Sequence, residues 1–82
     1  MISCSDYDYI EIACMYRYAI RLLLKSGGIV EGVALDTIRD KHNNECIKLK
    51  TADEVAKLVV LNDVLKMEAQ DKNPHFNEVV FN

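Results

Sequence analysis

Asp6, Asp8 and Glu11 are the first charged side chains of this chain, and no Lys or Arg comes before Arg17. Tyr7 and Tyr9 are interleaved with them. Carboxylates at such spacing can do acid–base work, hold a metal, or meet a cation on a partner. Acid–base work needs a nucleophile or a proton acceptor nearby, and the segment supplies none. Cys46 and His42 are the one thiol–imidazole pair close in sequence, without a third group to orient them or donors for an oxyanion. Gly27-Gly28 is followed by no lysine pattern of the kind that cradles phosphate. Cys4, Cys14 and Cys46 with His42 and His75 match no metal-ligand spacing. The sequence therefore predicts no enzyme, no cofactor and no metal.

Charge is distributed unevenly. The formal net charge is −3, from thirteen acidic and ten basic side chains. Residues 17–82 hold ten of each, so the whole imbalance sits on the head. A balanced body with an acidic, aromatic head points to a positively charged partner. Charge-assisted hydrogen bonds from Asp8 and Glu11 to Lys or Arg would be stronger than neutral ones. Tyr7 and Tyr9 offer the amphipathic area enriched at hot spots, or else pack the head onto the body. Tyr18 reads as a packing residue. In charge and ring spacing such a head resembles a short piece of nucleic acid, and its natural target is a basic RNA-binding cleft on another protein. Direct RNA binding is the weaker reading: the basic residues are dispersed, and the sequence pI is near 5.2.

Positioning this head falls to a short helix over about residues 6–15. Ser5 is the predicted N-cap, with Asp8 in the capping-box position. Tyr7, Ile10, Ala13 and Cys14 share one face; Asp8, Glu11 and Met15 lie on another. Three turns do not persist alone in water, so the apolar face must lean on the rest of the domain. Ten residues of helix separate Cys4 from Cys14 by about 15 Å, too far for a disulfide. Three reduced thiols are expected, with Cys14 packed as a small apolar residue.

From Tyr16 the period becomes two. Tyr16, Tyr18, Ile20, Leu22 and Leu24 form one face of a strand, and Ser26-Gly27-Gly28 turns it. A second strand runs from Ile29 to about Thr37, where Gly32 suggests a bend or bulge. Lys41-His42-Asn43-Asn44 turns into a third, Cys46–Lys50. Val55–Leu61 is the fourth and is expected to be central. Asn62-Asp63 makes a corner into Val64–Ala69, and Glu78–Phe81 adds a short sixth. Residues 52–70 also read acceptably as a helix capped by Thr51; the β-branched Val55, Val59 and Val60 favour strands. The expectation is a mainly β, α+β single domain over 1–82: a helix, then a five- to six-stranded antiparallel β-barrel over about 16–82. Half the residues are hydrophobic and 28% charged, which excludes wholesale disorder. No apolar run approaches the ~20 residues of a membrane span, and no signal peptide is visible, so a cytoplasmic location is expected.

Cys4-Ser5-Asp6-Tyr7-Asp8, Glu11-Ile12-Ala13-Cys14 and Leu24-Lys25-Ser26-Gly27 resemble the Rof family of Rho-binding antiterminators. Its usual pattern is Cys-Asp-Asp-Tyr-Asp, then Glu-Leu-Ala-Cys, then Leu-Lys-Asp-Gly. The resemblance implies an N-terminal helix on an Sm-like barrel. It also implies a protein that binds the transcription terminator Rho near its primary RNA-binding site and keeps RNA from loading. By motif, the contacts fall on Asp6, Tyr7, Asp8 and Glu11, with Arg39 and Lys41 of a following loop as secondary ones. Ser5 stands where Asp is usual, and Asp40 interrupts a typically basic pair. A protein that is a monomer in isolation and does not bind nucleic acid directly is expected. The alternative is an Sm-like module that binds single-stranded RNA through its barrel.

Overall fold

The computed structural model describes residues 3–81. Helix α1 spans Cys4–Met15, two residues earlier than the spacing predicts, because Ser3 rather than Ser5 is the cap. Ser3 is extended, and its Oγ accepts from Asp6 N at 3.2 Å. Six strands follow: β1 (Ala19–Leu24), β2 (Ile29–Arg39), β3 (Glu45–Lys50), β4 (Ala56–Val60), β5 (Val64–Ala69) and β6 (Glu78–Val80). A 3-10 turn, Leu61–Asp63, makes the corner between β4 and β5. Residues 52–70 are thus turn and strand, as their β-branched content favours.

All pairings are antiparallel, in the order β4-β3-β2-β1-β5-β6. Val59 at one end of that order and Val79 at the other belong to one buried cluster with Ile20, Leu22, Ile47, Leu49 and Met67. Both ends can reach one core only if the sheet curls around it, which is the barrel-like architecture. β4 lies at an end of the sheet, not at its centre. Among the described residues its only strand partner is β3, and Ala56, Lys57 and Leu58 are all exposed.

Two other differences have local physical causes. Tyr16 does not start a strand. Arg17 takes a left-handed conformation, φ 55°, and the helix ends in a Schellman arrangement. Tyr18 N donates to Ala13 O at 2.9 Å and Arg17 N to Cys14 O at 3.3 Å. The bulge in β2 falls between Ala34 and Asp36, not at Gly32: Ala34 faces Leu49 and Asp36 faces Lys48, so Leu35 is the extra residue. Gly32 is needed instead for close approach, since a Cβ there would sit 2.7 Å from Lys50 O.

These two features meet. The Arg17 guanidinium donates to Cys14 O at 2.7 Å and to the carbonyl of the bulged Leu35. One side chain thus ties the last turn of α1 to the middle of β2. Arg17→Ala should keep the left-handed strain and lose both bonds, lowering stability by about 1–2 kcal/mol. Arg17→Gly should cost less, because glycine relieves the strain. Thermal melts of the two variants would check that order.

Candidate partner-binding face

Ile10, Ala13 and Cys14 are the buried face of α1, and Tyr7 and Tyr9 pack half-buried at its flanks. At 100° per residue, positions 4, 8, 11 and 15 fall on the opposite side. Cys4, Asp8, Glu11 and Met15 are all exposed there, Met15 at 71%. They form one ridge along the helix. Asp6, two residues before Asp8, points away from it and is half-buried. Among the described residues none of Asp6, Asp8 and Glu11 joins an ion pair. The last turn of α1 carries no basic residue. Among the described residues the charges of Asp8 and Glu11 on the ridge are thus left without an ion-pair partner.

Beside Glu11 runs an open groove of about 550 Å³ between α1 and the β2–β3 hairpin, walled by Arg17, Asp36, Ile38 and Lys48. Cys14 lies at its base. Burial, then the charge of Asp36, pushes its thiol up to about 11, with Arg17 opposing. Cys14 and Cys46 are buried and Cys4 is exposed, all three as free thiols. Brief alkylation of the native protein at pH 8 should label Cys4 alone, and labelling after denaturation should reach all three, read by mass spectrometry.

On the same flank, nearer the start of α1 and sharing Thr37 and Ile38 with that groove, Tyr7 and Arg39 line a second cleft of about 250 Å³ with Glu45. The structure thus brings the head together with Arg39, which is the last residue of β2 and not part of the loop that follows. Arg39 donates to Asn43 O at 3.0 Å and stands 3.9 Å from Glu45. Lys41 is exposed on the turn. Asp40 organises that turn rather than opposing its charge outward. Its carboxylate accepts from His42 N, Asn44 N and Asn44 Nδ2 at 2.8, 2.9 and 3.2 Å. The bonds from Asn44, foremost, hold the Asp40 carboxyl below its usual range.

Residues 1–81 match the family model described as a modulator of Rho-dependent transcription termination (ROF). The chain belongs to the Rof family. It is 35% identical over 57 residues to Protein rof of Escherichia coli (strain K12) and to Protein rof of Shigella flexneri, covering 70% of this chain and 67% of each of those. It also resembles a solved structure of YaeO bound to magnesium from Vibrio cholerae O395. The TM-score is 0.88 at 39% identity, over 93% of this chain and 97% of that one. Here, among the described residues, no three His, Cys, Asp or Glu side chains converge to hold a metal ion. The family is one of regulators of Rho-dependent termination. Among the described residues no helix is long and apolar enough to cross a membrane.

Past the end of α1, Tyr16 and Tyr18 join an aromatic cluster with His75 and Phe76, two residues that no sequence pattern links to them. Tyr16 stacks on Tyr18 (5.6 Å between ring centres, 19°) and on His75 (5.0 Å, 24°). Tyr18 Oη and His75 Nδ1 share a hydrogen bond of 2.7 Å. Phe76 meets the edges of Tyr9 and Tyr18 behind them. Treating Tyr16 and Tyr18 as same-face strand residues put them side by side for the wrong reason, and nothing local signals His75. Its loop is set by Asn73, whose side-chain oxygen accepts from His75 N and Phe76 N at 2.8 and 3.0 Å.

Proposed function

We propose that this chain binds Rho directly, near its primary RNA-binding site, and inhibits Rho-dependent termination in the cytosol by keeping RNA from loading. The blocker is non-enzymatic. Asp8 and Glu11 pair with basic groups of Rho, Tyr7 adds packing area at their flank, and Arg39 and Lys41 give weaker contacts from the end of β2 and the turn after it. Asp6 acts through the local field of the head more than by contact. The observation that carries this reading is the ridge itself: two carboxylates on one exposed helical face, neither in an ion pair among the described residues. A groove that attracts RNA phosphates would attract them for the same reason.

The test is Rho-dependent termination in vitro with and without this protein, alongside binding of labelled RNA to Rho. Readthrough should rise, and RNA should be displaced as the protein is titrated. Unchanged termination at saturating protein would overturn the proposal. Retardation of unstructured RNA by the protein alone would instead favour RNA binding through the barrel.

A further inference from the structure

The stacked rings at the end of α1 have a geometry that packing alone does not require. A ring sandwiched between two others holds their centres about 7 Å apart or more, at ordinary carbon contact distances. Tyr18 and His75 are 6.0 Å apart, so both lie under the same face of Tyr16. Their mutual hydrogen bond makes them a fixed two-ring floor. Tyr16 nevertheless remains 54% exposed, so much of its surface stays open to solvent. It is the C-cap of α1, its N donating to Ile12 O at 3.1 Å. The open ring therefore sits one turn beyond Ile12 and directly after Met15, about 100° round the helix from it, past the end of the acidic ridge and on its Tyr9 side.

We infer that Tyr16 is a surrogate nucleobase, presenting its free face to a planar aromatic or guanidinium group in the single-strand-binding cleft of the partner. This rests on the proposed function and deepens it. The ridge carboxylates stand in for phosphates, and the tier of Tyr16 over Tyr18 and His75 stands in for stacked bases. The neighbouring negative charge selects the occupant. A nucleic acid would bring phosphates against Asp8 and Glu11, whereas a cleft built for nucleic acid brings cations to them and a stacking group to the ring. Because the floor already holds Tyr16 in place, little side-chain freedom is left to lose on docking.

Base–aromatic stacking is worth roughly 1–3 kcal/mol by alanine substitution, which sets the expected effect of removing the ring at about tenfold or more in Kd. The experiment measures Rho binding by Tyr16→Phe, Tyr16→Leu and Tyr16→Ala, with circular dichroism and melting of each variant. Tyr16→Phe should bind within about twofold of the parent, and Tyr16→Leu and Tyr16→Ala about tenfold more weakly. Leucine keeps apolar bulk, so an affinity for Tyr16→Leu equal to that of Tyr16→Phe would overturn the inference. Charge reversal at Asp8 and Glu11, run in parallel, separates the two failures. If it abolishes binding while the Tyr16 variants bind normally, only the base-surrogate role is lost. If it has no effect, the proposed binding mode fails first.

Discussion

Reversing both ridge charges, Asp8→Lys with Glu11→Lys, should weaken Rho binding by at least about a hundredfold while the domain stays folded. Opposite charges in close contact across an interface are worth about 1.5 kcal/mol or more, and like charges placed there cost several. The doubly reversed ridge would present two ammonium groups to a cationic groove. The fold should tolerate this because both side chains are exposed and join no ion pair among the described residues. Asp8 is also past the first turn of α1, where the helix dipole matters most. Melting temperature should move by no more than roughly 4–8 °C, since two surface changes of this kind stay within about 1 kcal/mol together. Titration calorimetry of the variant against Rho would decide the matter. Undiminished affinity would rule the ridge out as the contact. The parent's affinity should itself fall with added salt, because screening shortens from about 10 Å at 0.1 M to about 3 Å at 1 M.

The second large effect is on stability. Gly32→Ala should destabilise the domain by about 2 kcal/mol, in the range for overpacking a filled site. The added Cβ would lie 2.7 Å from Lys50 O and 3.2 Å from Lys50 C, and both are backbone atoms. They cannot rotate aside, because β3 is laddered to β2 on one side and β4 on the other. Relief requires the β2–β3 ladder to shift. In a domain of this size the loss lowers the melting temperature by roughly 8–16 °C. A melt within 3 °C of the parent's would show that the ladder yields easily. Affinity for Rho, measured well below the transition, should stay within about twofold, since Gly32 lines neither the ridge nor its flanking clefts.

Gly32 also illustrates what a sequence does and does not carry. Its presence in a strand pattern announced an irregularity, but a bulge and a close backbone approach leave the same letter. Which one holds depends on Lys50, eighteen residues away, and on a register that local pattern does not set. The same limit explains Arg17. Helix ends are legible when glycine takes the left-handed position; here an arginine takes it, held by a carbonyl of β2, so the strand was read three residues too early. Ser5 for Ser3 was a choice between two good caps two residues apart. The valines of β4 suggest a central strand, but apolar content does not tell an edge from a middle without the pairing order.

What was legible is what repeats locally. The 3.6-residue period separated Ile10, Ala13 and Cys14 from Asp8, Glu11 and Met15 correctly. The two-residue period placed the strands. Gly27, at φ 98°, turns the first hairpin where Ser26-Gly27-Gly28 predicts. The candidate contacts divide the same way. Asp8 and Glu11 share a face because helical spacing dictates it, whereas the cleft joining Tyr7 to Arg39 and the floor joining Tyr18 to His75 are tertiary.

The guanidinium that fastens the last turn of α1 to β2, together with the serine at its first, has an evolutionary consequence. The helix is secured from its ends and its inner side, so its outermost positions owe nothing to folding. Substitutions at 4, 8, 11 and 15 can accumulate without eroding the scaffold. Lineages could thus retune which surface this helix recognises while inheriting the rest of the domain unchanged.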